Sequence, residues 1–119
     1  MLSAEEIVSL IAAGWSVRVV RREGGRLVKF SRLNGTLKRE MLLPKDHYEA
    51  AFERAMSLLA EGHPQRYRVE MDTDFYGNLR GMVRTGLFGA QCVALEISPR
   101  HLALLQRAID ERHADLLAQ

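Results

Sequence analysis

The 119 residues are 47% hydrophobic and 27% charged, ordinary proportions for one globular domain that needs no covalent staples. A single cysteine excludes an internal disulfide framework and a multi-cysteine zinc site, and no apolar run reaches membrane-spanning length. The net charge of +2 hides an asymmetry: residues 16–45 hold nine Lys or Arg against two Glu, while the rest of the chain sums to −5.

Ser3 and Glu6 form a capping box that opens a first helix. Ile7, Val8, Leu10 and Ile11 give it an apolar stripe, and Gly14 ends it. Acids at 5 and 6 stand where a secretory leader needs basic residues, so the chain reads as cytoplasmic, with no membrane partner.

Residues 15–43 read as a basic three-stranded meander. Trp15 to Arg22 alternates and is β-branched, Leu27 to Leu33 returns, and Thr36 to Leu43 runs until Pro44. Gly24-Gly25 and Asn34-Gly35 read as two-residue turns. Such turns pair Val19 with Phe30 and Val28 with Met41. One face then carries Trp15, Val17, Val19, Val28, Phe30, Leu37, Met41 and Leu43, with Arg21 and Arg39 out of place among them. The other carries Arg18, Arg22, Lys29 and Lys38 with Ser16, Ser31 and Glu40, but also Val20, Leu27, Leu33 and Leu42. Four large aliphatics do not belong on a purely solvated face.

A second helix spans about Lys45 to Glu61, with Tyr48, Ala51, Phe52, Ala55, Leu58 and Leu59 on one side and Gly62-His63-Pro64 as its stop. Residues 66–75 alternate, placing Tyr67, Val69, Met71, Thr73 and Phe75 inward. Glu70, Asp72 and Asp74 on the other side are oxygen ligands that would suit Mg²⁺ or Ca²⁺. Register explains them without a metal. A three-residue loop around Gly77 sets Arg80 opposite Asp72 or Asp74, with Arg84 within reach of Glu70. The 86–90 loop reads as a tip tucked onto the core, or as a contact loop. Residues 91–97 form a sixth strand, in which Cys92 reads as a small buried hydrophobe. Ser98-Pro99 opens a last helix with Leu102, Leu105, Ile109, His113 and Leu116 in one stripe.

Residues 1–119 therefore read as one α+β domain, order α-βββ-α-βββ-α, with an antiparallel sheet or sheets and helices on one face. Three strands followed by a Pro-started helix occur twice, without a residue-level repeat. At fold level alone this order resembles two architectures: the small dimeric chaperones of type III secretion, typically acidic, and the repeated strand-rich unit of single-strand nucleic-acid binders. No motif of either is matched.

No phosphate loop, nucleophile elbow or zinc spacing is present, and the four histidines share no local motif. No cofactor, metal or small-molecule ligand is expected from these residues. The leading expectation is a non-enzymatic protein-interaction module. Its binding face comprises Arg18, Arg22, Lys29, Lys38, Val20, Leu27, Leu33 and Leu42. The partner is a second copy or an acidic protein, as in a small phage or mobile-element inhibitor or adaptor. The alternative is nucleic-acid binding through the same cations, weakened because Trp15, Phe30, Tyr67 and Phe75 are expected inward rather than as stacking platforms. An enzyme whose site assembles from distant residues comes third.

Overall fold

The computed structural model describes residues 1–32, 38–61, 67–85 and 91–118. Helix α1 (Ala4–Ala12) leads into strands β1 (Trp15–Arg22), β2 (Gly25–Arg32) and β3 (Lys38–Leu43). Helix α2 (Lys45–Glu61) then leads to β4 (Tyr67–Thr73), β5 (Leu79–Thr85), β6 (Gln91–Glu96) and helix α3 (Pro99–Leu117). The element order and α+β class are as expected. Leu33, Asn34-Gly35, Leu37, Gly62-His63-Pro64 and the 86–90 loop lie outside the described residues, as do the side chains of Tyr67, His113 and Leu116.

The caps form as the sequence predicts. Ser3 Oγ accepts from the Glu6 backbone N–H at 3.2 Å, and Ser98 Oγ from that of His101 at 3.2 Å, with Pro99 in the first turn.

All six strands form one sheet in the order β3-β2-β1-β6-β5-β4. Every pairing is antiparallel except the central one, where β1 and β6 run parallel with Val17 beside Leu95. This departs from a wholly antiparallel sheet, and the double βββα order supplies the reason. The second meander repeats the first by translation across the sheet, so their adjoining edge strands point the same way. Helix α2 carries the chain from β3 at one edge to β4 at the other, a crossover long enough to permit this.

The helices cover one face. Val17, Val28, Phe30, Leu43, Val83, Val93 and Leu95 are buried against Ile7, Ile11, Phe52, Leu59, Leu102 and Leu105. Val28 pairs with Met41 as expected, but Val19 faces Val28 and Val17 faces Phe30. The β1–β2 turn is Glu23-Gly24, with Gly25 already in the ladder opposite Arg22, one residue earlier than the Gly-Gly reading. A shift of two leaves every side chain on its expected face. The β4–β5 loop holds five residues rather than three, because Thr73 pairs with Leu79.

Phe75 is corrected more sharply. It is 97% exposed, as is 86% of Tyr76, and the two rings meet edge to face at 5.6 Å. Alternation stops at Thr73 because Asp74 captures the backbone. Its Oδ1 accepts from the N–H groups of Tyr76 and Asn78 at 2.9 and 2.8 Å. These bonds, led by that from Asn78, hold the Asp74 carboxyl below its usual range.

Candidate functional site

The face of the sheet away from the helices brings together the expected binding residues Arg18, Arg22, Lys29, Lys38, Val20, Leu27 and Leu42; Leu33 lies outside the described residues. Register sets Asp72, Arg80, Glu96, Arg18, Lys29 and Glu40 in one line across all six strands. The charges pair along it. Arg18 reaches Glu96 at 3.1 Å, Lys29 reaches Glu40 at 3.9 Å, and Arg80 reaches Asp72 at 3.4 Å. One row away, Arg84 and Glu70 meet at 3.1 Å, which further raises the Arg84 pKa. The three carboxylates that suggested a metal are thus engaged with arginines or with backbone N–H groups. Arg22 and Lys38 are exposed and form no ion pair among the described residues.

A second line on this face is apolar: Val20 faces Leu27, and Leu27 faces Leu42. Leu42 is 52% exposed and the other two half-buried. On the far side of the charged line from the apolar one lie small groups, Ser16, Ser31 and Ala94, where Ser16 Oγ accepts from the Ala94 N–H at 3.2 Å and ties β1 to β6. Cys92 is half-buried on this open face rather than in the core.

Arg21 and Arg39, the two out of place among the apolar residues, fall on the helix-covered side, and Arg26 lies there with them. Arg39 reaches Glu6 of α1 at 3.8 Å. Arg21 lies directly across from Arg26, and both line a cleft of about 510 Å³ beside the end of β6.

His101, fully buried, was missed by sequence reasoning. The Ser98 hydroxyl and Nδ1 share a hydrogen bond at 2.7 Å, the Tyr48 hydroxyl lies 3.4 Å away, and Nε2 stands 3.4 Å from Glu49. This is the nearest approach to a catalytic constellation among the described residues. Its geometry is that of a cap: Ser98 Oγ is committed to the first turn of α3, and the ring has no exposed edge. Desolvation lowers the His101 pKa against the pull of Glu49, and burial likewise raises that of the Tyr48 phenol. The available signal was the Ser98–His101 spacing, a capping box with His in place of Glu.

No helix among the described residues is long and apolar enough to cross a membrane. Comparison of the chain with protein-family models, curated proteins and solved structures finds no match, so the reading of this face rests on its residues alone.

Proposed function

We propose that the chain is a non-enzymatic interaction module that pairs with a second copy of itself, open sheet face against open sheet face. The observation that carries this reading is the charge pattern. A face bearing both signs in one line, most of them already paired, is self-complementary rather than complementary to an acidic surface. An anionic partner, protein or nucleic acid, would meet Arg18 and Lys29 already matched by Glu96 and Glu40, leaving Arg22 and Lys38 alone on this face without an ion pair among the described residues. The apolar line Val20, Leu27 and Leu42 supplies the surface that gains from leaving water.

The size is adequate. Strands about 4.8 Å apart and about 20 Å long give six of them roughly 600 Å² a side, toward the lower end of specific interfaces. Size-exclusion chromatography beside gel-shift assays with single- and double-stranded DNA and RNA tests the proposal. A dimer that shifts none of them is expected. A monomer that binds nucleic acid at micromolar concentration, losing affinity steeply with salt, would replace it with the nucleic-acid reading.

A further inference from the structure

Strand β6 stops at Glu96 while β1 runs on to Arg22, so beyond Arg18 the inner edge of β1 has no strand beside it. The gap is the cleft of about 510 Å³, bounded by the outer half of β1 and the start of β5, with Ser98 and Pro99 below. It lies at the carboxyl end of the one parallel strand pair, where β1 turns into a hairpin and β6 turns down into a helix. In open sheets with parallel strands such a divergence is where ligands are received.

Arg21 and Arg26 face each other directly across the β1–β2 ladder and both line this cleft. Like charges in that relation destabilise a hairpin. Neither has a carboxylate partner among the described residues; Arg26 only donates to the neighbouring Gly25 carbonyl at 3.1 Å. The carboxylates that also line the cleft are engaged elsewhere. Glu96 is held by Arg18 at 3.1 Å, Glu49 by Arg100 at 2.9 Å, and Asp74 by the backbone of its own turn. An uncompensated guanidinium pair thus stands in a roomy cleft beside the Tyr48 ring, the start of α3 and the unpaired edge of β1.

We propose that this cleft binds a small phosphate-bearing anion clamped between Arg21 and Arg26. Guanidinium forks match phosphate oxygens two at a time. The free β1 edge presents backbone N–H donors on the same cleft. A dianion would turn the Arg21–Arg26 repulsion into attraction, which gives the sequence a reason to keep the pair. The cleft touches the apolar line proposed for self-association at Val20, but Arg21 and Arg26 lie on the opposite face of the sheet from it.

Calorimetric titration and thermal unfolding with inorganic pyrophosphate, in a chloride buffer, test it. Saturable binding is expected, with the melting temperature rising by about 5 °C at ten times Kd. Arg21→Gln and Arg26→Gln should each weaken binding at least about tenfold, the loss of one good charge-assisted contact. Arg22→Gln, on the open face, should not change it. Without pyrophosphate, Arg26→Gln should melt no lower than wild type, because it removes a repulsion. Leu42→Asp should keep the binding, so this proposal and the dimer stand or fall separately. No saturable binding at millimolar pyrophosphate would overturn it. So would an equal loss in Arg22→Gln, which would mean diffuse attraction rather than a site.

Discussion

Burial sets the behaviour of single residues here, and His101 shows it most directly. Its folded pKa lies below 6.5, the value an unfolded chain would show. Below that value the unfolded state takes up a proton that the folded state resists, so stability is full above it and is lost as pH falls. The melting temperature should drop between neutral pH and about 5, and less steeply in His101→Gln. An identical slope in the variant would place the titrating group elsewhere. Phe30 and Phe52 are fully buried between sheet and helix. Phe30→Ala and Phe52→Ala should each lower the unfolding free energy by about 3–5 kcal/mol in denaturant titration, through lost burial and a cavity. Costs under about 1 kcal/mol would contradict the packing.

At the scale of elements, local chemistry decides what could be read from the chain. The bounds of α2, the Ser3 and Ser98 caps and the two faces of the first meander follow from spacing within a few residues. The parallel β1–β6 pairing does not, because it joins residues some 78 positions apart and leaves no local period. Phe75 fits the alternation of β4, but the Asp74 turn outcompetes it. The ion pairs of Arg80 and Arg84 were legible because pairing an apolar face with an apolar face fixes loop parity, even where the loop length is missed. The Arg21–Arg26 cleft was half legible. Arg21 stood out on an apolar face, but the gap beyond β6 exists only once the sheet order is known. Gly25 tests the hairpin. Its φ is +150°, and an added Cβ would run into the Leu43 carbonyl of β3. Gly25→Ala should therefore cost at least about 2 kcal/mol by chemical denaturation, from backbone strain and overpacking together. Wild-type stability in that variant would mean that β2 and β3 can separate without penalty.

For the whole molecule, one sheet face is covered by three helices and the other carries an apolar line beside a ladder of paired charges. The covered face explains stability; the open face is the one proposed above for self-association. Val20, Leu27 and Leu42 should matter more to association than Arg18 or Lys29, whose charges are already satisfied within the chain. Leu42 is the residue to change, because at 52% exposure in the single chain its loss should leave the fold intact. Sedimentation equilibrium of wild type and Leu42→Asp, at low and high salt, tests docking through this face most directly. Wild type should sediment as a dimer at micromolar concentration in both salts. Leu42→Asp should sediment as a folded monomer, since dimerisation would bury an unpaired carboxylate. A wild-type monomer at every concentration, or a Leu42→Asp dimer as tight as wild type, would contradict it.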